Sequence, residues 1–123
     1  MGFTIGDVAE QTGLSMHTLR YYENEGIVPN VKRNEGGTRI YEQKDIEWLE
    51  FVCCLRNTGM TIAELKGFVG LVLQGHETID ERMRMLDRQM ERIQTQIDQL
   101  TVYRTMVDKK MGWYRNYVAK HQA

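Results

Sequence analysis

The sequence predicts a mainly α protein: a winged helix-turn-helix head of four helices and a small β-hairpin, followed by a long dimerisation coiled-coil helix. Three observations carry this. Two short amphipathic segments flank Thr12-Gly13-Leu14-Ser15, a Gly36-Gly37 pair sits between short extended segments, and apolar residues recur at steps of four and three from Ile79 to Val118. Punctuation sets the division, because ten of the 11 glycines lie at or before Gly75 and the only proline is Pro29. The head is therefore placed at residues 1–75, and residues 76–123 form the long helix with a short C-terminal helical lid.

At 123 residues, with 41% hydrophobic and 27% charged side chains, the chain fits one small core and an extension, and neither a disordered nor a membrane-spanning protein. Met-Gly-Phe-Thr-Ile-Gly-Asp is no secretory signal, so a cytoplasmic location is expected. The two cysteines, Cys53 and Cys54, are adjacent and poorly placed for a structural disulfide. Residues 1–75 hold 7 Lys and Arg against 10 Asp and Glu, whereas 76–123 hold 9 against 7. A slightly acidic head gives bulk charge no power to indicate nucleic acid, so individual donors must carry that reading.

In the first helix Thr4 is the N-cap, Asp7 lies three residues on, and the segment runs to about Gln11. Gly13 allows a tight turn, and Ser15 caps a second helix from Met16 to about Asn24. That helix aligns His17, Arg20, Tyr21 and Asn24 on one side and turns Leu19 toward a core. Such a hydrogen-bonding face suits a helix that reads a DNA groove. The hairpin from Asn30 to Tyr41 supplies Lys32, Arg33, Arg39 and Tyr41 as donors for phosphate oxygens, against the plainer reading of a solvated loop.

A third helix spans Asp45 to Arg56, ending before Asn57-Thr58-Gly59, and Thr61-Ile-Ala-Glu64 is a capping box that opens a fourth. Thr78-Ile-Asp-Glu81 has the same pattern before the long helix. Its seam comprises Ile79, Met83, Leu86, Met90, Ile93, Ile97, Leu100, Val107, Met111, Tyr114 and Val118, interrupted only by Arg104. From Thr78 to Met111 it would extend roughly 50 Å at ~1.5 Å per residue, too long a stripe for a chain this small to cover alone. Homodimerisation is the expected solution, and Gly112 the expected break before an aromatic lid containing Trp113, Tyr114 and Tyr117.

The segments Thr4-Ile-Gly-Asp-Val-Ala9, Thr18-Leu-Arg-Tyr-Tyr-Glu23, Gly37-Thr-Arg-Ile-Tyr41 and Leu55-Arg-Asn-Thr-Gly59-Met60 resemble, in order, the MerR family of bacterial transcription regulators. The resemblance covers the whole chain and implies a homodimer whose long helices form an antiparallel coiled coil. It places Ser15, His17, Thr18, Arg20 and Tyr21 on the major-groove helix, Tyr22 and Tyr41 near the sugar-phosphate backbone, Arg33 and Arg39 in the wing, and Arg56 at a phosphate-reaching position. Two of these have structural alternatives: Tyr22 as a core aromatic and Arg39 as a brace of the wing. The implied partners are a palindromic promoter duplex, distorted to switch transcription, and RNA polymerase, with no membrane.

Metal-sensing relatives carry cysteines at the far end of the long helix, and none follows Cys54 here, so no metal site and no cofactor are implied. Similarity is instead to the small NmlR/AdhR-like branch, associated with aldehyde and thiol-electrophile stress, where a cysteine precedes the Leu-Arg/Lys-x-Thr-Gly-Met segment. Here that residue is Cys54. Cys53 follows Ile46 and Leu49 on the core side, whereas Cys54 follows Glu47 and Glu50, so Cys54 is the candidate sensor thiol and an inert core thiol the alternative. A non-covalent ligand, or a coiled-coil module with no DNA role, are the competing functions. An enzyme is not expected, because Cys54 has no histidine close in sequence to serve as a base.

Overall fold

The structure, a computed structural model, describes residues 2–122. Helices α1 (Ile5–Thr12), α2 (Met16–Asn24), α3 (Gln43–Asn57), α4 (Ile62–Gln74) and α5 (Ile79–His121) alternate with one antiparallel hairpin, β1 (Lys32–Arg33) and β2 (Arg39–Ile40). The chain divides into two compact units, the first ending at Gln89 and the second starting at Met90.

Local chemistry fixes each boundary in the first unit. The Thr4 hydroxyl accepts from the Asp7 amide at 3.1 Å while the Asp7 carboxylate accepts from the Thr4 amide at 3.0 Å, satisfying two orphan donors of α1. Gly13 then takes φ of 76°, a left-handed conformation that lets the chain reverse. Ser15 caps α2 by accepting from the Thr18 amide at 3.0 Å. In the wing, Lys32 pairs with Ile40 and Arg33 with Arg39, and the Asn34 side-chain oxygen closes the turn by accepting from Gly36 and Thr38. A bridge between Phe3 and Tyr41, with reciprocal 2.8 Å bonds, ties the hairpin to the N-terminus. Thr61 and Glu64 form the expected capping box of α4.

The core of this unit joins Val8 of α1, Leu19 and Tyr22 of α2, Tyr41, the α3 stripe Ile46, Leu49, Val52 and Leu55, and Leu65 of α4. Trp48, Phe51 and Phe68 cluster at centroid distances of 6.0 to 6.2 Å, and Trp48 Nε1 donates to the Ile27 carbonyl at 2.7 Å. Asp45 is buried because its carboxylate accepts from the Glu42 amide at the start of α3.

Two expectations about the long helix change. Thr78 does not act as its capping residue: it lies in a 3₁₀ turn, and its hydroxyl contacts the Leu71 and Gly75 carbonyls at 2.6 and 2.8 Å. Leu86 is half-buried against the head core, and Gln89 donates to the Thr58 carbonyl and hydroxyl at 3.1 and 2.6 Å. The start of α5 thus packs with the first compact unit, which runs to Gln89. Finally, Gly112 does not break the helix. It costs about 1 kcal/mol of propensity relative to alanine, which cooperative propagation of a long helix already formed N-terminal to it absorbs, so α5 is continuous to His121 and no separate lid forms.

In the second unit the seam residues Met90, Ile97, Leu100, Val107, Met111, Tyr114 and Val118 are exposed, and Ile93 is half-buried. Trp113 stacks on Tyr117 at 5.7 Å, with the Lys110 ammonium 5.0 Å from the Trp113 ring centre.

Candidate nucleic-acid interface

Helix α2 is short, capped and anchored by Leu19 and Tyr22 beneath it, so its outer face is a rigid platform. On that face His17, Arg20 and Tyr21 are exposed. Neither His17 nor Arg20 has a hydrogen-bond or ion-pair partner among the described residues. These groups are available to base edges or phosphates. Ser15 and Thr18 are partly committed, since the Ser15 hydroxyl donates to the Thr18 hydroxyl at 2.9 Å as well as capping the helix.

The two tyrosines expected near the sugar-phosphate backbone are instead core residues. Tyr22 is 6% exposed and Tyr41 1%. Both sit on faces that the head must fill to join α2 and the wing to α3, and packing takes precedence. The Tyr41 hydroxyl is buried without a hydrogen-bond partner among the described residues. Burial raises the phenol's pKa above 10.0, and the neighbouring Glu23 carboxylate adds to the shift.

Glu23 is the residue that sequence reasoning missed. Its carboxylate pairs with the Arg39 guanidinium and, at 3.2 Å, with that of Arg33, tying the recognition helix to both wing strands. Arg33 also donates to the Gly37 carbonyl at 2.9 Å. Arg39 is largely withdrawn from solvent, in keeping with the bracing alternative, while Arg33 keeps about half its surface. The signal for Glu23 was its place at the end of the Thr18-Leu-Arg-Tyr-Tyr-Glu23 segment, but partners ten and sixteen residues away are invisible to helical spacing. Arg56 is exposed in the last turn of α3 and donates from Nη1 to the Met60 carbonyl at 2.8 Å, which holds its guanidinium near the turn with further N–H donors to spare.

Just beside it lie the thiols. Cys54 is exposed and Cys53 partly buried, the order that the helical wheel implied. Burial, followed by the Glu50 carboxylate, pushes the Cys53 thiol upward and disfavours its thiolate. Thr58 donates its hydroxyl to the Cys54 carbonyl at 2.8 Å and accepts from Gln89, so the turn carrying Cys54 is hydrogen-bonded to α5.

A helix-turn-helix with a braced wing and a free polar recognition face, continued by a long helix, defines a DNA-binding transcription regulator. Residues 3–70 match the family described as MerR HTH family regulatory protein, and residues 46–109 the one described as MerR, DNA binding. Among similar proteins, an HTH-type transcriptional regulator of Haemophilus influenzae is 37% identical over 94% of this chain and 85% of its own. The regulator AdhR of Bacillus subtilis is 42% identical over 72% of this chain and 64% of its own. The crystal structure of HiNmlR, a MerR family regulator lacking the sensor domain and bound to promoter DNA, superposes with a TM-score of 0.87 at 37% identity, covering 97% of this chain and 94% of that one. The chain belongs to the MerR family. Within it, the protein falls in the NmlR/AdhR-like branch of transcription regulators. No helix among the described residues is long and apolar enough to cross a membrane.

Proposed function

We propose that the protein binds a palindromic promoter as a homodimer, paired through α5 as an antiparallel coiled coil, and switches transcription by RNA polymerase through distortion of the duplex when Cys54 reacts with an aldehyde or related electrophile. The observation that carries the sensing is the exposed Cys54 at the C-terminal end of α3, hydrogen-bonded through Thr58 to Gln89 of the dimerisation helix. A change at the thiol then acts on the element that sets the separation of two heads. The chemistry is addition: the thiolate sulfur forms a bond to the carbonyl carbon, the carbonyl π pair moves to oxygen, and the proton lost from the thiol is returned there, giving a hemithioacetal. DNA contacts are assigned to Ser15 at the cap of α2, His17, Thr18, Arg20 and Tyr21 of α2, Arg33 of the wing and Arg56. The two heads hold a bend whose elastic cost their contacts offset, so a small change in head separation shifts the favoured DNA shape.

The test is transcription from the protein's own upstream promoter, with and without formaldehyde, for wild type and Cys54→Ser. Induction lost in the variant, with promoter binding intact, supports the reading; equal induction in both removes Cys54 as sensor and favours a non-covalent ligand.

A further inference from the structure

The wing carries a charge conflict that its own strands do not resolve. Arg33 and Arg39 occupy directly opposed positions of β1 and β2, where like charges repel, and strands of two residues supply too few ladder bonds to hold a hairpin alone. Glu23 brings the counter-charge from outside the hairpin, one oxygen to each guanidinium: Oε1 accepts from Arg33 Nη2 at 3.2 Å and Oε2 from Arg39 Nε. The two arginines are nevertheless held differently. Arg39 keeps 20% of its side-chain surface and Arg33 47%. Arg33 also has a second bond, from Nη1 to the Gly37 carbonyl of its own turn, which does not depend on Glu23.

We propose that the two arginines divide the work on DNA: a backbone phosphate replaces Glu23 as the partner of Arg33 Nη2, while Arg39 stays on Glu23 and keeps the wing fixed against the recognition helix. Arg39 is then a positioning residue and not a DNA contact. Charge favours one exchange and not two. A carboxylate shared by two guanidinium groups leaves a single positive charge in the triad, and the third wing cation, Lys32, is engaged by Glu42 at 3.0 Å. That remaining charge matches one phosphate. Geometry selects Arg33 for it, because the more exposed group, pivoting on its Gly37 bond, changes acceptor without letting go of the turn, whereas moving Arg39 would expose a covered side chain and detach β2 from α2. Glu23 lies on the same helix as Arg20 and Tyr21, so the phosphate contact of the wing and the groove contacts of α2 are made together, which favours duplexes that satisfy both. The inference rests on the reading of Arg33 as a phosphate contact and assigns Glu23 and Arg39 their part in it.

Salt titrations of binding to promoter and to scrambled duplex separate the two roles, in variants whose circular dichroism matches the wild type. Arg33→Ala is expected to weaken both complexes alike and to lower the salt slope by about one. Arg39→Ala is expected to leave the slope unchanged and to weaken the promoter complex alone, about tenfold, with Arg39→Lys recovering most of the loss because it retains a cation for Glu23. Glu23→Gln frees Arg39, so it is expected to steepen the slope on scrambled duplex by about one, an effect that persists when combined with Arg33→Ala and vanishes when combined with Arg39→Ala. A slope lowered by about one in Arg39→Ala, or a steepening abolished by Arg33→Ala, would reverse the two assignments and overturn the proposal. Slopes that none of these variants alters, with wild-type promoter binding intact, would remove the wing from the interface and overturn the reading of Arg33 itself.

Discussion

A carboxylate between two guanidinium groups and a phenol sealed in the core distinguish residues that touch DNA from residues that position them. Glu23 holds Arg33 and Arg39 against the recognition helix, so it limits their freedom to seek phosphates at random. Glu23→Gln is expected to raise affinity for arbitrary duplex and steepen its salt dependence, lowering the ratio of promoter to scrambled-sequence binding by about tenfold in fluorescence anisotropy. Arg20→Ala and Arg56→Ala should both weaken promoter binding, and for Arg56, read as a phosphate contact, the salt slope should fall by about one. A slope and affinity unchanged in both variants would exclude them from the interface. Tyr41 makes a pH prediction. Its raised pKa means that the folded state retains the phenol proton when the unfolded chain has lost it, so stability is full below about pH 10 and falls as pH rises toward the folded value. Tyr41→Phe removes a buried hydroxyl with no partner among the described residues and should be neutral or stabilising by about 1 kcal/mol, with a shallower alkaline loss in denaturant titrations.

Among the elements, α5 was predicted from its steps of four and three, and its 43 residues amount to about twelve turns. Its exposed seam residues Ile97 and Leu100 leave the head untouched, so Ile97→Asp with Leu100→Asp should convert the dimer to monomer in sedimentation while the head remains folded by circular dichroism. Persistence of the dimer would move the interface elsewhere. Gly112 tests the continuity of the same helix. A Cβ added there meets nothing within 4 Å, so Gly112→Ala should raise the melting temperature by an amount corresponding to about 1 kcal/mol. A hinge at that position would instead make the substitution destabilising.

For the whole molecule, what matters is how the DNA-binding head continues into the helix proposed to pair. Gln89 bonded to Thr58, and Leu86 packed on the core, make the first turns of α5 part of the head, so a change at the end of α3 reaches the pairing helix through atoms already in contact. The sequence by itself determined the helices, their caps at Thr4, Ser15 and Thr61, the hairpin turn and the coiled-coil period. Each of these depends on residues within about one turn of one another, and hydrogen bonding and periodicity act over that range. It also separated Cys54 from Cys53, because side-chain direction on a helix is fixed by spacing. Only the tertiary structure decided that Tyr22 and Tyr41 are core residues, that Glu23 binds the wing and that Thr78 turns back to α4 instead of capping α5. Those outcomes depend on which distant atoms become neighbours once the core closes. Burial and ion pairing are properties of that packed arrangement, and residue order within a single helix does not contain them.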